Sequence, residues 1–156
     1  MDFYIPDHHE IGILNGDDLI FFYYDIGLDN LQNCPLVYDW DIVVEEFKGE
    51  LDIDTCISNQ ISTDFVQNRI RFTVSNQKRS DDGSKCAAFF RHLRNAFAHY
   101  QVVREGENYV LTDRTEKSTT MRGLVDAELL KRFCYRLFDE RGKILNEIEK
   151  TNNPTI

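Results

Sequence analysis

From Phe89 to Tyr100 the chain reads FFRHLRNAFAHY, setting two arginines, an asparagine and two histidines among large apolar residues. Imidazole is the side chain suited to moving protons near neutral pH. Guanidinium holds phosphate oxygens through paired hydrogen bonds. Projected on a helix at 100° per residue, Phe89, Phe90, Leu93, Phe97 and Tyr100 share one side and define a core face. Arg91, His92, Asn95 and His99 fall opposite, with Arg94 at the margin of that group. Asn95 and His99 are four apart and therefore neighbours on the helix surface. The side chain of Arg94 is long enough to bend toward them. Ala87, Ala88 and Ala98 lie among these polar groups, so the face is small as well as polar. A face meant only for solvent would more usually carry Lys and Glu, yet no acid occurs from Gly83 to Arg104.

Such a set suits phosphodiester chemistry that needs neither metal nor cofactor. His99 would take or give a proton, and Arg94 would offset charge developing on phosphorus. No Ser, Cys or metal cluster is arranged to supply a nucleophile, which leaves the ribose 2′-hydroxyl of an RNA strand. One histidine does not readily serve both proton steps, so two copies of the helix meeting at a two-fold axis would complete the site.

The string LRNAFAHY resembles the HEPN superfamily, whose signature is an Arg, four to six residues, then a His, often with a polar residue directly after the Arg. Here that is Arg94, Asn95 and His99. The likeness spans roughly Ser84 to Lys150. It implies a mainly α fold, a HEPN-like helical bundle, here with a small β-hairpin insertion, and a homodimer in which two signature helices share a cleft. It implies further a metal-independent endoribonuclease of the toxin or defence type, acting on RNA, with a cognate antitoxin as the partner of a toxin. Arg94, Asn95 and His99 would be the catalytic residues. Arg91 and His92 are substrate-binding candidates by wheel position alone. Other members of the superfamily are inactive, and an interaction or dimerisation module is the alternative. One subgroup carries a Tyr two residues after the His; Gln101 stands there in this chain, which argues against that subgroup's modifying partner.

The elements that must position these residues are read from the rest of the chain. A length of 156 residues suits one domain. An apolar content of 42% with 11 Phe and 7 Tyr points to a folded core. No apolar run approaches the roughly 20 residues of a membrane span, and the start lacks the basic flank and apolar core of a secretion signal. Cys34, Cys56, Cys86 and Cys134 are scattered and read as free thiols in a reducing, cytoplasmic setting. The net charge of −9 divides unevenly: residues 1–68 hold 15 acids against Lys48 alone, −14, while residues 69–156 carry +5. The acidic total disfavours non-specific nucleic-acid binding, and the basic half keeps a local phosphate site open.

A single domain over 1–156 follows, with an acidic N-terminal half to residue 77. DLIFFYYDI, from Asp18 to Ile26, fits either a strand or a helix. Pro35 is placed to open a helix through Trp40 and Phe47, and Trp40 is expected in the core. The spacing of Ile61, Phe65, Arg69 and Phe72 predicts a helix over about 58–75. The signature helix is expected over about 84–102. A hairpin follows around REGEN, then a loop through RTEKSTTMRG. A closing helix over about 124–150 is built on Leu130, Phe133, Leu137, Ile144 and Ile148. His8 and His9, beside Asp7 and Glu10, read as part of a mobile N-terminal segment rather than as metal ligands.

Overall fold

The computed structural model describes residues 14–27, 40–74 and 85–137. Its centre is a mixed five-stranded sheet: β1 (Asp52–Thr55), β2 (Arg69–Phe72), β3 (Val102–Glu105), β4 (Asn108–Arg114) and β5 (Thr119–Asp126), in the order β1-β2-β5-β4-β3. Only β1 and β2 run parallel; the other neighbours are antiparallel. Helices α1 (Gly16–Ile20), α2 (Trp40–Glu46), α3 (Lys85–Ala98) and α4 (127–137) accompany it. The chain is therefore an α/β protein, and the expected mainly α bundle is overturned.

Two segments account for that correction. The described part of the expected helix, residues 58–74, does not form one: a short 3-10 turn (Ser58–Gln60) is followed by β2. The four-apart spacing of Ile61, Phe65, Arg69 and Phe72 is incidental, and the period that governs is two. Ile70 and Phe72 point inward and are fully buried, while Arg69 and Arg71 point outward. Phe65, one of the supposed helical positions, is exposed. The loop expected through RTEKSTTMRG shrinks to residues 115–118, because β5 begins at Thr119. Its inward residues are Met121, Gly123 and Val125, and the threonines and arginine between them mask the alternation. Gly123 is needed there, since a Cβ would lie 2.7 Å from Cγ1 of Ile70 on β2.

The hairpin around REGEN forms as expected, with β3 and β4 joined at Gly106 and Glu107 and Gly106 at φ +61°. The closing helix begins at residue 127, after β5 rather than at 124. Its Leu130, Phe133 and Leu137 are buried as their spacing predicts. DLIFFYYDI resolves as α1 followed by a π-turn (Phe21–Asp25), capped by Asn15 and Asp18 in a reciprocal box. Trp40 lies in the core, edge-on to Phe72 and Phe133 and tilted against Phe89. Cys56, Cys86 and Cys134 are not joined in a disulfide, and the last two are buried. His8, His9, Cys34, Pro35, Ile144 and Ile148 lie outside the described residues.

One face of the sheet is apolar: Ile53, Ile70, Phe72, Tyr109, Leu111, Met121 and Val125 are all buried. Helix α3 packs against β4 and β2 on this face, and Phe133 of α4 meets Phe89 of α3 edge-on. Each aromatic buried here is worth about 1.5–3 kcal/mol of transfer free energy. The outer face carries Arg69, Arg71, Thr112 and Arg122.

Candidate functional site

Helix α3 has strong helix formers in Ala, Leu and Arg, and it is buried over most of its circumference. Cys86, Ala87, Ala88, Phe89, Phe90, His92, Leu93, Ala96 and Phe97 are all buried. The Phe89, Phe90, Leu93 and Phe97 face is the core face, as read from the sequence. Three other wheel assignments change. Tyr100 is 85% exposed, because the helix ends at Ala98 before its position can face the core. Ala87 and Ala88 are covered within this chain, so they do not offer a small surface for close approach of a second helix. His92 is fully buried and does not share an accessible face with His99.

The surroundings of His92 explain its burial. Nδ1 is hydrogen-bonded to Oδ2 of Asp113 on β4 at 2.7 Å, and Nε2 donates to the Thr73 carbonyl, also at 2.7 Å. A carbonyl can only accept, so Nε2 is the donor there, and Nδ1 is engaged by the carboxyl of Asp113. An Arg91 nitrogen lies 3.2 Å from Nε2, but a donor cannot bond to a nitrogen already donating. Thr120 of β5 closes the cluster, its hydroxyl donating to the Asp113 carbonyl at 3.1 Å. His92 thus fastens α3 to the ends of β2, β4 and β5. Both its ring nitrogens are engaged within the chain and it has no access to a substrate.

From Asp113 the polar contacts run toward the surface. The Asn95 amide reaches Oδ2 of Asp113 at 3.4 Å, and a terminal nitrogen of Arg94 reaches the Asn95 side-chain oxygen at 3.4 Å. Both are long contacts. Arg91, Arg94 and Asn95 are half-buried, and His99, on the turn beyond, is exposed. Its backbone N–H bonds to the Asn95 carbonyl at 2.9 Å. The structure therefore brings Arg94 and Asn95 into contact, leaves His99 open next to them in the helix, and takes His92 away.

Asp113 and its threonine neighbours were missed by the sequence reading. No acid lies on α3, and the one beside it arrives from the sheet. The signal was available: Tyr109, Leu111 and Asp113 alternate, which puts Asp113 on the inward face, where an acid needs a partner.

The helix end has a geometry of its own. The Gln101 N–H bonds to the Ala96 carbonyl at 2.7 Å and the Tyr100 N–H to the Phe97 carbonyl at 3.3 Å. This is a Schellman ending, with Tyr100 in the left-handed position at φ +57°. The Gln101 side chain then clamps β4, donating to the Arg114 carbonyl at 3.2 Å and accepting from its N–H at 2.9 Å.

A second polar centre joins the two halves of the chain. Asp18, fully buried, accepts from the Tyr109 hydroxyl at 2.5 Å and from Arg104 at 2.8 Å, with Lys131 at 3.2 Å. Burial pushes its carboxyl up, but the bonds from Tyr109, the Asn15 N–H and Lys131, with Arg104 beside it, hold it below the ordinary carboxylate range. Burial and then the Asp18 carboxylate push the Tyr109 phenol up. All of these groups are mutually satisfied, so this is a clamp.

A cavity of about 690 Å³ lies away from α3, beside Glu45, Lys48, Asp52, Val66, Asn68 and Arg69. It holds no His or Cys, and its Asp52 is bridged by Arg69 and Arg71, each at 3.0 Å. Among the described residues no group of three His, Cys, Asp or Glu is placed to hold a metal ion, and no helix is long and apolar enough to cross a membrane. Comparison with family models, curated proteins and solved structures finds no match for this chain.

Proposed function

We propose that the chain is a metal-independent endoribonuclease acting through Arg94, Asn95 and His99, in the manner of a toxin or defence effector. The observation that carries this reading is the exposure of His99 directly beyond an Arg94–Asn95 pair that is itself tied to the sheet through Asp113. An exposed imidazole can reach a ribose hydroxyl or a leaving oxygen, and a guanidinium braced by its neighbour loses less freedom on gripping phosphate. The ribose 2′-OH gives its proton to His99 and attacks the adjacent phosphorus. The bond from phosphorus to the 5′-oxygen of the next nucleotide breaks, that oxygen leaves with a proton, and Arg94 holds the non-bridging oxygens. A second copy supplies the other proton step. That homodimer would meet at the exposed end of α3, around His99, because Ala87 and Ala88 are covered within the chain.

A second reading is favoured by one contact. Asn95 is drawn toward Asp113, which suits a signature retained for packing in an inactive interaction module. Incubation of the purified chain with RNA separates the two. The endoribonuclease cleaves RNA in the presence of EDTA, leaves a cyclic phosphate end and spares DNA, which lacks the 2′-OH. Absence of cleavage, or cleavage equal in His99→Ala, supports the interaction module instead.

A further inference from the structure

Tyr100 occupies a position where its residue type costs stability and earns no packing. The left-handed site of a Schellman ending favours glycine, because a Cβ there crowds the following carbonyl. A bulky residue in this region is a genuine outlier. The other non-glycine residue with positive φ among the described residues, Asn68, is of a tolerant type, and its side-chain oxygen accepts from the Asp126 N–H at 3.0 Å. Tyr100 has no such compensation. The residue is 85% exposed, and its side chain takes part in no hydrogen bond or ring contact among the described residues. Exposure alone would need no explanation, since Tyr24 is nearly as exposed on regular backbone. Exposure together with an unfavourable backbone, next to His99, does.

The backbone that presents this ring is fixed on both sides. Before it, the Schellman bonds close the end of α3; after it, the Gln101 side chain holds both backbone groups of Arg114, and the Gln101 carbonyl accepts from the Thr112 N–H at 3.1 Å. An aromatic plane on a rigid backbone, beside the imidazole and in the more basic half of the chain, suits one ligand class. Unpaired bases of single-stranded RNA stack on exposed tyrosines regardless of sequence.

We propose that the Tyr100 ring is a stacking platform for a nucleobase of single-stranded RNA, seating the strand so that an adjacent phosphate meets Arg94 and His99. This rests on the endoribonuclease reading. Tyr100 is thus a positioning residue, and its strain is the cost of aiming the ring away from the core.

The test uses the full chain and a short, fluorescein-labelled, single-stranded oligonucleotide with every ribose 2′-O-methylated, so that binding is measured without cleavage. Wild type binds it, and Tyr100→Phe, which keeps the ring, binds equally well. Tyr100→Gly binds about tenfold or more weakly, the usual scale for loss of one stacked base. The same Tyr100→Gly chain melts about 2–4 °C higher, because glycine suits the left-handed position. Loss of affinity with gain of stability is a pair of outcomes that a merely structural tyrosine cannot give. Unchanged affinity in Tyr100→Gly, or a lower melting temperature, overturns the stacking role and leaves the endoribonuclease reading standing. Failure of wild type to bind the oligonucleotide overturns both.

Discussion

His92 and His99 stand seven residues apart on one helical segment, two turns, so a helical projection puts them nearly in line. Their surroundings are opposite. His92 is sealed between α3 and the sheet with both nitrogens bonded, while His99 is exposed just beyond the helix end. The projection fails because a face is buried only as far as the layer above it extends. The ends of β2, β4 and β5 reach His92 through Thr73, Asp113 and Thr120, whereas the chain beyond Ala98 turns off into β3. The same side chain is thereby a fastening at one position and available for chemistry at the other.

The largest expected effect comes from breaking the buried half. His92→Ala leaves Asp113 without its main partner, and loss of one member of a buried pair costs about 3–5 kcal/mol. That is a large part of the roughly 5–15 kcal/mol that holds a domain together. Denaturant unfolding should show a midpoint shift of that size. Asp113→Ala should cost a similar amount, and the double variant less than the sum of the two, because the second change removes an already orphaned group. Additive losses would show that His92 and Asp113 do not act as a unit.

The open half should respond the other way round. His99→Ala should slow RNA cleavage by ~100-fold or more, equivalent to about 2.7 kcal/mol in the barrier. Its unfolding midpoint should stay within about 0.5 kcal/mol of wild type, as for an ordinary surface change. If His99→Ala lost stability comparable to His92→Ala, the contrast between the two would collapse.

Gly123→Ala probes the covering layer without touching either histidine. The added methyl would overlap Ile70 across the β2–β5 pairing, and such overpacking costs about 1–3 kcal/mol. Below its lowered melting temperature the variant should cleave RNA at the wild-type rate, because the helix end is held by Gln101 on β4. A cleavage rate that falls in step with stability would mean that the site depends on the whole sheet.

What was legible in the sequence follows the same division. Local patterns with their own chemistry were readable: the hairpin at Gly106, the apolar face of α3 from Phe89 to Phe97, and the buried Leu130, Phe133 and Leu137. Pairing between distant segments was not. Strand β2 has only four residues, too few to reveal alternation against a competing four-apart spacing, and β5 carries its polar residues on the outer face. Both acquire their identity only by lying next to each other. Asp113 was lost for the same reason, since its partner sits 21 residues earlier in the chain. The fold class was misjudged because the elements that define it are the non-local ones.

The narrowest effect, read in the shape of the acid pH profile, is expected from the second buried acid, Asp18, which tests whether paired burial behaves alike at both ends of the molecule. Its carboxyl is held below the ordinary range in the folded chain. A depressed folded value means that the unfolded chain binds the proton first as pH falls. The stability contributed is then fully present above the unfolded value, near 3.9, and is lost as pH falls through the folded one. Wild type should therefore show a steep acid loss of stability beginning near pH 4. In Asp18→Asn that part of the slope should flatten, while stability near neutral pH falls because Arg104 and Lys131 lose their shared carboxylate. Denaturation curves across the acid range measure both. An unchanged acid slope in Asp18→Asn would mean that α1 is not clamped to the basic half through this residue, and Phe22, packed on Phe97 at 4.6 Å and on Tyr109 at 5.8 Å, would have to hold it there by apolar contact.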